Sequence, residues 1–199
     1  YFLSLCIMLA VSFAAKAQSK LIFKDKFMYT DVQVFNETKR HSIPSLIDTG
    51  CSLCIIDSIF AIDSCGIKED ELQTIPINQT KDKISSAFID SIFFCGKTYH
   101  KVYCLVADLT GHYQKYAPKF IVGANILRSG AWKFDMEKNI VEPYDSNNKA
   151  KGTIYKWKNH EDYPDVAIDY IILDSKVNGK KTRFAFDTGC RNNKLQSGL

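Results

Sequence analysis

The 199-residue chain has no Lys/Arg-rich block and no basic stripe interleaved with aromatics, and its formal net charge is only +4. Without a concentrated basic face there is little to neutralise phosphates, so no nucleic acid is expected as a partner. The chain also lacks Gly-x-Ser-x-Gly, His-Glu-x-x-His and any phosphate-cradling glycine loop. The usual serine-hydrolase, zinc-peptidase and nucleotide-binding signatures are thereby set aside. His41, His100, His112 and His160 stand isolated and read as surface or packing residues. The one Cys-x-x-Cys, Cys51 to Cys54, has no second pair to complete a zinc site. It runs into Leu53, Ile55 and Ile56, strand-like residues where a redox motif would need a helix. No metal and no cofactor is expected, and both cysteines read as small packing residues.

What is present is ordinary for a chain with a core: 46% hydrophobic and 24% charged residues, at a length that holds one large or two small domains. One long apolar run, Phe2 to Ala15, is too short to span a bilayer comfortably and ends in the small-x-small pattern Ala15-Lys16-Ala17. Residues 1–17 read as a secretory signal peptide, which makes the mature chain exported, periplasmic or extracellular, with no stable membrane insertion after cleavage. No Met or basic segment precedes that run, so the chain reads as a fragment at its start. In an oxidising compartment Cys51, Cys54, Cys65, Cys95, Cys104 and Cys190 could form disulfides, whose pairing is not readable.

Two stretches share one design. Ser45-Leu46-Ile47-Asp48-Thr49-Gly50-Cys51-Ser52 is an apolar run, a carboxylate, a hydroxyl, a glycine and two small side chains. Arg183-Phe184-Ala185-Phe186-Asp187-Thr188-Gly189-Cys190 repeats it 139 positions later. Each reads as a buried strand ending in a carboxylate at a glycine turn. A buried carboxylate is costly unless it is hydrogen-bonded or shares a proton, and two at matching strand ends can satisfy one another. A third block, Phe120-Ile121-Val122-Gly123-Ala124-Asn125-Ile126-Leu127, is a short apolar strand running through glycine into a helical turn. Trp132 to Asp135 and Ile140-Val141 follow as a hairpin.

In this order the blocks resemble the retropepsin-like aspartic peptidases, most nearly those of the bacterial envelope. The resemblance implies an all-β fold with a few short helices, an acid-protease β-barrel. One complete repeat would occupy residues 21–145, a linker 146–160, and a truncated second repeat 161–199. It implies Asp48 and Asp187 as the catalytic pair, Thr49 and Thr188 as braces across it, and Gly50, Gly189, Ser52, Ile121, Val122 and Gly123 as supporting residues. The partner would be polypeptide in extended conformation, cleaved as an aspartic endopeptidase cleaves, with water activated between two aspartates. Two arrangements remain open: Asp48 pairs with Asp187, or with Asp48 of a second chain in a homodimer. The second site departs from the pattern, because Cys190 is followed by Arg191 rather than Ser or Thr, and a guanidinium near Asp187 would favour its ionised form. The segment from Ile75 to Lys83, where the family's flap would lie, has no glycine. A catalytically inactive, protease-like binding module of the envelope is the rival reading.

The remaining pattern predicts strands over Phe27–Phe35, Ile43–Ile47, Ser52–Asp57, Ile84–Cys95, Thr98–Asp108, Lys119–Gly123, Asp165–Leu173 and Thr182–Phe186. Short helices are predicted over Ser58–Cys65 and Ile67–Gln73, a loop over Thr110–Pro118, and tight turns at Gly96-Lys97 and Asn178-Gly179.

Overall fold

The computed structural model describes residues 17–76, 83–145, 154, 157 and 171–192. Residues 1–16 of the expected signal peptide, the tip of the expected flap and most of the expected 146–160 linker lie outside the described residues.

The chain opens with β1 (Ser19–Lys20), β2 (Ile22–Lys24), β3 (Phe27–Asn36), β4 (Lys39–Ile47) and β5 (Cys54–Asp57). After a π-type turn (Phe60–Ser64) and a 3-10 turn (Glu69–Glu71) come β6 (Gln73–Pro76), β7 (Lys83–Phe94) and β8 (Lys97–Ala107). A single turn of helix, α1 (Thr110–Tyr113), and a 3-10 turn (Gln114–Tyr116) lead into β9 (Phe120–Val122) and α2 (Ala124–Leu127). The hairpin β10 (Trp132–Asp135) and β11 (Ile140–Pro143) follows, then the separate ribbon β12 (Ile171–Val177) and β13 (Lys180–Phe186).

Six strands close into a barrel. Hydrogen bonding runs β3-β4-β9-β5-β8-β7, and β7 returns to β3 through Gln33, Val34 and Phe35. The all-β barrel with a few short helices that the sequence predicts is the fold observed. Alternation builds it: along β3, Val32 and Val34 point inward while Asp31 is exposed. With Ile47, Ile56, Ile89, Ile92, Phe94 and Phe120 they form a core sealed from solvent, each such burial contributing about 1.5–3 kcal/mol. A second, smaller cluster of Phe27, Tyr29, Leu46, Leu109, Tyr113 and Ile121 lies apart from it.

The topology places the site. β9 inserts between β4 and β5, parallel to β4 (Leu46 beside Ile121, Ile47 beside Val122) and antiparallel to β5. Parallel pairing puts the C-terminal ends of β4 and β9 together, so Asp48 emerges beside Gly123. Asp48 N–H donates to Val122 O at 3.1 Å, continuing the ladder one residue past β4.

Several local expectations need correction. Residues 67–73 form a 3-10 turn and then enter β6, because β7 supplies a ladder from Gln73 to Pro76 that a short acidic helix cannot offer. The expected loop 110–118 holds α1 and a 3-10 turn, anchored where Tyr29 Oη donates to Tyr116 O at 2.6 Å. The β7–β8 turn sits on Cys95 (φ 47°) and Gly96 (φ 76°), one residue before the expected pair, as two successive left-handed residues require. β12 runs to Val177, past the expected end at Leu173, because its ladder with β13 continues to the Asn178-Gly179 turn. No disulfide joins any two of Cys51, Cys54, Cys65, Cys95, Cys104 and Cys190.

Candidate active site

Both Asp-Thr-Gly turns are described, and they meet. β4 delivers Asp48 and β13 delivers Asp187, each followed by a turn in which the cysteine N–H returns to the aspartate carbonyl, at 3.4 Å for Cys51 and 3.3 Å for Cys190. Within each turn the glycine N–H donates to its own aspartate: Gly50 to Asp48 Oδ1 at 2.8 Å, Gly189 to Asp187 Oδ1 at 2.9 Å.

The threonines join the two turns. Thr49 N–H donates to Thr188 Oγ1 at 3.0 Å and Thr188 N–H to Thr49 Oγ1 at 3.1 Å. Each hydroxyl then donates onward across the interface, Thr49 to Phe186 O and Thr188 to Ile47 O, both at 2.7 Å. Each hydroxyl accepts from an N–H and donates to a carbonyl, and the two hydroxyl oxygens lie 3.4 Å apart, so the contacts form a two-fold staple. A residue without a γ-hydroxyl would break two of them at once.

The glycines are set by close approach. A methyl group on Gly50 would run into the Asp187 carboxylate, and one on Gly189 into that of Asp48. Each glycine therefore lies against the opposite carboxyl group. Asp48 is 9% exposed and Asp187 half-buried. Burial first, and then the charge of Asp187, push the Asp48 carboxyl up from the ordinary 3.8 to about 6. The Gly50 and Cys51 N–H groups oppose that rise without cancelling it. A carboxylic acid therefore stands beside a second carboxyl group well above the pH at which a free aspartate loses its proton.

No protein-family model and no curated protein sequence matches the chain. Solved structures do. Its structural neighbours are retropepsin-like aspartic protease domains. A retropepsin-like aspartic protease from Rickettsia conorii aligns with TM-score 0.46 and 19% identity, over 62% of this chain and 88% of the other. The retroviral protease-like domain of Ddi1 from Leishmania major aligns with TM-score 0.39 and 13% identity, over 61% and 97% respectively.

The third block lies under the first turn. Gly123 is where it is because a side chain there would strike the Leu53 carbonyl. Its N–H points at Cys54 Sγ (3.4 Å), while Ala124 N–H and Asn125 N–H donate to Cys51 O (2.7 Å) and Ser52 O (3.1 Å). Asn125, which the sequence did not single out, ties the same turn down with its side chain. Its Oδ1 accepts from Cys54 N–H at 2.8 Å and its Nδ2 donates to Tyr103 O at 3.0 Å. Ile121 and Val122 pair with Leu46 and Ile47, the two residues that lead into Asp48. Ser52 is exposed, and it is the Gly50 N–H that supports the Asp48 carboxylate.

Two further residues were missed. Tyr113 is buried next to the site, its ring edge-on to Phe27 at 5.3 Å, and its phenol is pushed well up by burial and by the charges of Asp48, Cys51, Tyr29 and Asp187. Nothing in its polar surroundings, Thr110 to Lys115, marks it in the sequence. Asp25, at the β2–β3 turn, receives Arg191: Nη2 lies 2.6 Å from Asp25 Oδ2. The guanidinium expected to disturb Asp187 is thus committed to another carboxylate. Among the described residues no cluster of His, Cys, Asp and Glu could hold a metal ion.

Proposed function

We propose that the chain is an aspartic endopeptidase in which Asp48 and Asp187 share one proton and activate a water for attack on a peptide carbonyl. The observation that carries this is the stapled pair of turns, which holds two carboxyl groups against each other's glycines in a largely dry setting. In such a pair the ionised member takes a proton from water as its oxygen attacks, and the protonated member donates to the carbonyl oxygen. The tetrahedral adduct then collapses: the C–N bond breaks as the pair gives its proton to the departing amine nitrogen and takes one from a hydroxyl of the adduct, which becomes the product carboxyl group. The pair ends with the single proton it began with.

The intrachain contact of the two turns supports Asp48 with Asp187 over a pair of Asp48 side chains from two copies. Extended polypeptide is the substrate class, since β6 ends the sheet and offers an edge to which a peptide strand can add. An exported location, in the manner of the bacterial envelope proteins, belongs to the same proposal.

The test is cleavage of an unfolded protein such as casein at acid pH by the wild type, Asp48→Ala and Asp187→Ala. Cleavage lost in both variants supports the intrachain pair. Retention in Asp187→Ala with loss in Asp48→Ala points to the dimer. Peptide that binds to the wild type without being cut replaces the peptidase with the binding module.

A further inference from the structure

We propose that Asp25 and Arg191 form a latch that seats the Asp187 turn on the barrel, making both positioning residues for the pair of carboxylates. The inference rests on the peptidase reading for its purpose, though not for its geometry.

The two turns are anchored unequally. The Asp48 turn is tied to β9 and α2 by four backbone and side-chain bonds, from Asp48 N–H, Ala124 N–H, Asn125 N–H and Cys54 N–H. Among the described residues the Asp187 turn has no counterpart of β9 or α2. Beyond the threonine staple and the contact of Asp187 with Asp48, Arg191, four positions after the carboxylate, adds a tie to the barrel. The equivalent place after Asp48 is the exposed Ser52.

Arg191 is held on two sides. One edge of the guanidinium meets Asp25 Oδ2 at 2.6 Å, and its plane lies over Phe27, with Cζ 5.3 Å from the ring centroid. A planar cation can use edge and face together, which an ammonium cannot. The receiving carboxylate is also fixed. Asp25 and Lys26 are both left-handed (φ 48° and 69°), the geometry of a tight hairpin turn, and this aims the Asp25 side chain from a short connection. Phe27 in turn is 2% exposed and carries Tyr113 on its edge, beside Asp48. The latch therefore grips the same aromatic floor that walls the carboxylate pair.

The experiment is amide hydrogen exchange on the whole chain, comparing wild type, Asp25→Asn, Arg191→Met and the double variant. Thr49 N–H and Thr188 N–H report the seating of the turn, since each is bonded to the other's hydroxyl; Val32 and Ile89 N–H report the barrel. Each single variant is expected to speed exchange at Thr49 and Thr188 about three- to tenfold, the range for one half-exposed ion pair with a cation–π contact. The barrel amides should hold, and the double variant should be no faster than Arg191→Met, because the ion pair can be lost only once. Cleavage, where present, should lose kcat with KM nearly unchanged. Unchanged exchange at Thr188 in Arg191→Met, additive effects in the double variant, or an equal rise in the barrel overturns the latch. Exchange needs no substrate, so a chain that cuts nothing refutes the peptidase and still decides this question.

Discussion

Asp48→Asn exchanges the buried acid for a neutral isostere, and the structure gives the size and sign of the result. Asp48 is 9% exposed, and burial with the neighbouring Asp187 moves its carboxyl from 3.8 to about 6. A raised folded-state value means that folding favours the protonated form. Below pH 3.8 the group is protonated whether the chain is folded or not, and its burial costs little; stability is lost as pH rises towards about 6, and above that the full penalty is present. The penalty is about 3 kcal/mol at most, from about 1.4 kcal/mol per tenfold change in proton affinity. Asparagine carries none of it and keeps an oxygen for the Gly50 N–H, though its amide hydrogens need partners, so a net gain of about 1–3 kcal/mol is expected. For a chain of this size that is a rise in Tm of about 3–10 °C at pH about 8, shrinking to nearly nothing at pH about 3. Thermal unfolding followed by circular dichroism at the two pH values measures it. A variant that is less stable than wild type at the higher pH, or a difference that ignores pH, refutes the claim that Asp48 is a desolvated acid. The same variant should lose about 10²–10⁴-fold or more in peptide cleavage.

Thr188→Val should cost about 2–4 kcal/mol in urea unfolding, since it leaves Thr49 N–H and the Ile47 carbonyl without their bonds, while Thr188→Ser should recover most of that. Gly189→Ala should abolish cleavage while the barrel's far-ultraviolet spectrum stays unchanged, because its methyl group displaces the Asp48 carboxylate and leaves β3 to β9 untouched. Cleavage should fall as pH rises through about 6, where the shared proton leaves Asp48; a profile flat to pH about 8 contradicts the shared-proton mechanism. With iodoacetamide at pH about 8, mass spectrometry should find exposed Cys190 alkylated first and Cys51 slow, its thiol pushed up to about 12 chiefly by burial and then by Asp48.

Much of the site was legible because its chemistry is local. A carboxylate, a hydroxyl and a glycine in succession at the end of an apolar run fold into the same turn twice, whatever surrounds them. The long strands were legible for a similar reason: β3, β7 and β8 are rich in β-branched and aromatic residues bounded by turn signals. What stayed hidden is made by partners distant in the chain. Ser19–Lys20 and Ile22–Lys24 are too short to read as strands and exist only through β11 and β3. Gln73–Pro76 is drawn into the sheet by β7 against its own acidic, helix-like beginning. Tyr113 reaches the site by way of an apolar cluster gathered from β3, β4, α1 and β9, and Arg191 looked like decay of a motif until Asp25, 166 positions earlier, stood beside it.

The placement of β9 has a bearing on how the molecule matures. β4 and β5 are near neighbours along the chain, yet in the sheet they are separated by β9, a strand that comes much later in the sequence. Until that piece arrives, the wall of the barrel stands open at the very point from which Asp48 emerges, and such distant pairing is slow to form. A nascent chain therefore carries its first acid on an unfinished wall, and the second acid, later still, has nothing to close upon before then. Any work that needs both acids therefore waits until β9 has closed that wall and the Asp187 turn has been made.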